Sequence, residues 1–216
     1  MTKAIQIDFV SDVVCPWCAI GLRELETALA RLSDTIAPTV QLQPFELNPT
    51  MPPEGQNIAE HMLQKFGRRM DESSGVREAL QARANEVGFT MTMSEDSRVY
   101  NSFDAHRLLH WAGLQGKQIA LKHALFGAYF TENLNIADPD ILVAKAESVG
   151  LDGAQAREVL ASGRYADEVR AAEQAWMRSG INSVPSVVIN RKYLISGGQT
   201  AAVFEESLRR IAAESA

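Results

Sequence analysis

The chain has 216 residues, 46% of them apolar, and a formal net charge of −6. That is enough apolar material for a sizeable core. Its pI near 5.3, and basic runs such as Arg68-Arg69 and Arg209-Arg210, fall short of the clustered Lys/Arg of a nucleic-acid footprint. No apolar run approaches the roughly 18 residues of a membrane span.

A first strand is predicted over residues 4–10. Ile5, Ile7 and Phe9 share one face, and Asp8 points the other way, which is unusual in a strand buried on both sides. Next comes Ser11-Asp12-Val13-Val14-Cys15-Pro16-Trp17-Cys18, which holds both cysteines. A helix follows, with Leu22, Leu25, Leu29 and Leu32 on one stripe. Pro16 suits the first helical turn, so Cys15 is expected at the helix N-terminus. Free N–H groups and the helix dipole stabilise an anion there. A free thiol has a pKa of roughly 8.5, and such positions lower it to about 3.5–7.5. Two other readings of the pair exist. It could be half of a zinc site completed by His106 and His110. It could be an inert disulfide, although so short a loop constrains the unfolded chain little. The order strand, CxxC, helix favours a redox pair. Met1-Thr2-Lys3 runs into the first strand without a secretory pattern, so a cytoplasmic location is expected. Structural disulfides are rare there.

A second strand is predicted over residues 39–47, where Pro44 implies a bulge or a sheet edge. Residues 48–53, with three prolines, break regular structure. From 57 to 180 the pattern reads as helical throughout, in helices at about 57–70, 73–87, 101–113, 116–132, 138–149 and 154–179, the last broken near Gly163. Asn57 with Glu60 resembles a capping box. Gly88 and Gly150 sit at C-caps, and Asp138-Pro139 reads as an N-cap with proline after it. Ser186–Ile189 and Tyr193–Ile195 flank Asn190-Arg191, a hairpin signal. A final helix from Thr200 places Phe204, Leu208 and Ile211 on one face. The order β-α-β, helical block, β-β-α is that of an α/β thioredoxin fold interrupted by a helical insertion. Its parts are 1–56 and 181–216 for the thioredoxin-like domain and 57–180 for the insertion. Val184-Pro185 stands just before the third strand. It is either a plain strand-start proline or a cis-proline loop facing the CxxC, where the Val184 backbone would pair with an extended substrate. The fold favours the loop.

Four stretches carry a more specific resemblance: Asp12 through Cys18; Asn101-Ser102-Phe103-Asp104-Ala105-His106-Arg107-Leu108; Phe130 through Leu134 with Asp138-Pro139; and Gly180 through Ser186 with Ser196-Gly197-Gly198-Gln199. In these the chain resembles the DsbA-like thioredoxin superfamily and, within it, the FrnE-like dithiol–disulfide oxidoreductases. The resemblance implies Cys15 as attacking thiolate and Cys18 as resolving thiol. It implies a substrate surface built from Pro16, Trp17, Phe103, His106, Val184 and Pro185. His106 also reads as a surface or satisfied core histidine, and His110, one turn on, reads the same way. A buried carboxylate would serve as proton relay, with Asp8 and Asp12 the two candidates.

Exchange would pass through a mixed disulfide at Cys15, without metal, flavin or nucleotide. Partners would be protein or small-molecule thiols and disulfides, glutathione among them, for a monomer or a homodimer. One alternative is a glutathione-dependent isomerase or transferase of the kappa or hydroxychromene-carboxylate type. Those resemble this chain but carry serine where Cys15 stands. A second alternative is a peptide-binding chaperone without redox turnover.

Overall fold

The structure, a computed structural model, describes residues 2–67 and 74–214. Its elements in chain order are β1 (Lys3–Ser11), α1 (Pro16–Arg31), β2 (Ile36–Pro44), β3 (Gln56–Asn57), α2 (Ile58–Phe66), α3 (Ser74–Glu86), β4 (Arg98–Val99), α4 (Phe103–Leu114), α5 (Gln118–Phe126), a π-helical turn (Gly127–Thr131), α6 (Pro139–Ser148), α7 (Gly153–Ser162), α8 (Ala166–Arg178), β5 (Ser186–Ile189), β6 (Tyr193–Ser196) and α9 (Ala201–Glu214).

Four strands form one sheet in the order β2-β1-β5-β6. β1 and β2 run parallel, as a helical crossover requires, while β5 and β6 are antiparallel to their neighbours. The alternation along β1 explains its central place. Ile5, Ile7 and Phe9 are buried in the main core together with Leu22 and Leu25 of α1 and Phe204, Leu208 and Ile211 of α9. Each such fully buried side chain contributes about 1.5–3 kcal/mol. Val10 faces the other way, packing with Val188, Ile181, Phe45 and Trp176. Asp8 is also buried, and its oxygens accept from Gln43 Nε2 at 2.6 Å and Gln6 Nε2 at 3.2 Å. That pairing is what a carboxylate in a central strand needs.

β2 begins at Ile36, earlier than the sequence suggests, and ends at Pro44 on the sheet edge. The missing N–H of proline costs nothing there. One expectation is corrected. The segment 57–180 is not helical throughout, because β3 and β4 pair as a short antiparallel ribbon. Gly55 holds the turn before it with φ +68°, and a Cβ there would meet Val99 O at 2.4 Å. Asn57 caps α2, accepting from the N–H groups of Ala59 and Glu60. α2 ends by Gly67, so the expected extension to residue 70, the start of the next helix at 73 and the Arg68-Arg69 pair lie outside the described residues. The expected helix 116–132 is α5 followed by the π-helical turn. The expected helix 154–179 is split into α7 and α8 at Gly163, whose φ is +73°. Asn190 and Arg191 both adopt positive φ, and the Lys192 N–H closes a turn onto Ile189 O. That is the primed geometry that suits a right-twisted hairpin. No helix among the described residues is long and apolar enough to cross a membrane.

Candidate active site

Cys15 is the N-cap of α1, with φ −95° and ψ 112°, and Pro16 is the first helical residue. The arrangement follows from the sequence: proline fixes the helical φ and gives up no hydrogen bond at that position. Both cysteines are buried and are free thiols. Cys15 Sγ donates toward Val184 O across 3.7 Å, so the CxxC and the loop before β5 meet although 169 residues separate them. The Val184–Pro185 bond is cis. Gly21 of α1 permits this approach, since a Cβ there would lie 3.3 Å from Pro185 Cγ. Trp17 is 40% exposed. Its backbone and ring pack on Gly198, where a Cβ would lie 3.2 Å from the ring. Cys18 is fully enclosed. Burial and the neighbouring Cys15 sulfur push its thiol well above the usual range.

Beneath the pair lies a polar cluster. Asp12 is fully buried, and its Oδ2 accepts from Leu47 N–H at 2.7 Å while Oδ1 accepts from Val14 N–H at 3.4 Å. Burial alone would raise the Asp12 pKa. His106, the Leu47 N–H and the Ser102 hydroxyl outweigh it and hold the carboxyl below 3.8. His106 Nε2 lies 3.4 Å from Asp12 Oδ1 and 3.1 Å from Phe45 O. His110 stacks on Tyr165 with ring centroids 5.0 Å apart. The two histidines are thus committed elsewhere, and among the described residues no group of three or more His, Cys, Asp or Glu could hold a metal ion.

Phe103, at the start of α4, carries the guanidinium of Arg170 3.7 Å from its ring centroid. Arg170 also bridges Glu46 and Glu173, the latter at 3.0 Å. The Glu46 side chain is almost enclosed. Burial raises its pKa to about 7 against the lowering effect of Arg170. The folded protein therefore holds a proton that the unfolded chain releases near 4.5. Stability from this group falls as pH rises from about 4.5 to 7. Glu46→Gln is expected to flatten that decline. Thermal melts of both proteins from pH 5 to 8 check it, and parallel curves would contradict it.

The sequence reading passes over this bridge and over Lys122. Lys122 is 1% exposed on α5, with Nζ 5.1 Å from the Phe126 ring. The one available signal is its place within the apolar run of Leu121, Leu125 and Phe126, all buried.

A four-stranded sheet with α1 and α9 on one face, a CxxC capping α1 and a cis-proline loop against it define a thioredoxin-fold protein with an insertion. Residues 6–209 match the DSBA-like thioredoxin domain, and the chain belongs to that family. It is 33% identical to a probable DsbA oxidoreductase from Streptomyces coelicolor, with a TM-score of 0.89 over 95% of this chain and 89% of that one. It is 29% identical to the uncharacterized protein YwbO of Bacillus subtilis, over 94% of this chain and 96% of that protein. The cytosolic disulfide reductase DsbM of Pseudomonas aeruginosa, solved with GSH, shares the fold at 18% identity and a TM-score of 0.62, over 94% and 99% of the two chains.

Proposed function

We propose that this protein is a dithiol–disulfide oxidoreductase of the FrnE-like kind, acting in the cytoplasm on protein or small-molecule thiols and disulfides. The observation that carries the reading is Cys15 at the cap of α1 with its sulfur against Val184 O. A helix N-terminus favours the thiolate that must attack or leave, and the neighbouring loop offers backbone groups to an extended substrate. Cys15 is the attacking sulfur, since Cys18 is the more deeply buried of the two and its thiol is pushed up. Trp17, half-exposed beside the pair, gives an apolar contact for the substrate. Val184 and Pro185 form the groove wall, while on α4 His106 contacts Asp12 behind the CxxC and Phe103 sits farther off against Arg170. Glutathione fits as the small thiol, in line with the DsbM relative bound to GSH. An isomerase of the hydroxychromene-carboxylate type needs no resolving thiol, so activity of Cys18→Ser separates the two. Reduction of a disulfide substrate by glutathione should depend on both cysteines. An isomerase would keep its rate in Cys18→Ser.

A further inference from the structure

Asp12 lies in the turn that joins β1 to α1, just ahead of Cys15. The turn is tied together by this one residue. Its carbonyl accepts from the Cys15 N–H at 3.4 Å, and its Oδ1 accepts from the Val14 N–H at 3.4 Å. Its Oδ2 accepts from the Leu47 N–H at 2.7 Å. An ionised carboxylate has about four acceptor positions. Backbone N–H groups fill two of them, and α4 supplies the others. His106 Nε2 lies 3.4 Å from Oδ1, and the Ser102 hydroxyl bonds the same carboxylate. The His106 N–H closes onto Ser102 O at 3.0 Å, so the two side chains are one helical turn apart and share a face.

The His106 ring makes both of its recorded contacts through one nitrogen. Nε2 is 3.1 Å from Phe45 O and 3.4 Å from Asp12 Oδ1. Both oxygens are acceptors, which assigns a hydrogen to Nε2. The residue is 3% exposed, so this donor is directed inward to the two oxygens and not toward a bound substrate. Phe45 packs on the same small cluster of Val10, Ile181 and Val188 as Val184, whose carbonyl faces the Cys15 sulfur. One N–H group thus joins the turn that carries Cys15 to the segment packed beside the Val184 loop.

We propose that His106 is a positioning residue of the exchange reaction: its Nε2–H, acting through Asp12, fixes the Asp12–Cys15 turn so that the Cys15 sulfur stays at the N-terminus of α1. This role rests on the exchange reading and deepens it. A helix N-terminus favours a thiolate only where the sulfur meets the free N–H groups of the first turn. Cys15 is itself the cap, and its extended φ and ψ continue directly from the turn that Asp12 holds. Without the imidazole donor, Oδ1 keeps only the long bond from Val14 at a fully buried position. The carboxylate then turns to recover a partner, the turn moves with it, and the sulfur shifts from the helix end.

The test is the rate at which iodoacetamide alkylates Cys15 in the intact reduced protein at pH 7, followed by intact mass and peptide mapping. The reagent is small and uncharged, so the rate reads the thiol and not the substrate groove. His106→Leu should react on the order of tenfold more slowly. His106→Gln, which keeps an N–H donor on a side chain of similar reach, should recover most of the rate. All three proteins are compared well below their melting temperatures, where a merely structural role would leave the rates equal. A second readout needs no variant. Long-range ¹H–¹⁵N spectra of the natural protein at pH 8 should show hydrogen on His106 Nε2. A rate in His106→Leu equal to or above the natural one would overturn the proposal, as would a His106→Gln protein as slow as His106→Leu, or an Nε2 without hydrogen. If the reagent does not favour Cys15 over Cys18 in the natural protein, the exchange reading itself fails. If it does and His106→Leu reacts at the natural rate, only the role of His106 fails.

Discussion

Cys15→Ser is expected to reduce disulfide exchange to the uncatalysed background, while Cys18→Ser keeps the first attack and accumulates protein joined to substrate through Cys15. The two outcomes differ because the thiols differ in place. Cys15 caps α1 with its sulfur at the Val184 carbonyl, whereas Cys18 lies one turn into the helix and is fully enclosed. On the proposed assignment a substrate sulfur meets the first, and the second stays enclosed. Without Cys18 the mixed disulfide has no internal thiol to displace it. Intact-mass spectra with peptide mapping check this. Adducts chiefly on Cys18 in the Cys15→Ser protein would reverse the assignment.

The second large effect is on stability. Asp12→Ala removes the acceptor of the Leu47 N–H at 2.7 Å and the partner of His106, both at a fully buried position. A buried donor left unpaired costs about 1–3 kcal/mol. In a protein of this size that is a fall of about 2–4 °C in Tm for each kcal/mol. Asp12→Asn, which keeps an oxygen acceptor, should lose less. The contribution of the carboxylate also has a defined pH window. Its folded pKa is depressed below 3.8, so the stability is fully present above that value and is lost as pH falls through the folded one. The carboxylate's own titration should therefore leave the gap between natural protein and Asp12→Ala open at neutral pH and close it only in strong acid. Equal Tm values at neutral pH would show that Asp12 is not the tie between the CxxC loop and the segment after β2.

Much of this architecture is legible in the sequence because the elements that build it are long and periodic. The α1 stripe, the α9 face and the β5–β6 hairpin follow from apolar spacing and from Asn190-Arg191. The cysteine pair and Val184-Pro185 also announce themselves, since few residue types can do their chemistry. What escapes has a common cause. β3 and β4 are two residues each, too short for any period to register. Glu46 meets Arg170 across 124 residues of chain, and no local pattern encodes that pairing. Lys122 reads as the solvated edge of an amphipathic helix, because a long charged side chain beside leucines ordinarily reaches water. Only the packing of α5 against α4, α6 and β2 encloses it. Asp8 and Asp12 look interchangeable in sequence. Their hydrogen bonds separate them, two glutamines for the one and loop N–H groups for the other.

The central claim is that Cys15 and Cys18 cycle between dithiol and disulfide at the expense of an outside thiol. Equilibrating the protein in buffers of graded reduced-to-oxidised glutathione ratio, then quenching with acid and weighing it intact, tests that most directly. The account predicts a reversible transition to a species lighter by two hydrogens, mapped to one peptide bridging Cys15 and Cys18, with the Cys15 glutathione adduct as intermediate. Two thiols that stay reduced across the whole series, or a disulfide that once formed no longer responds to reduced glutathione, would contradict it.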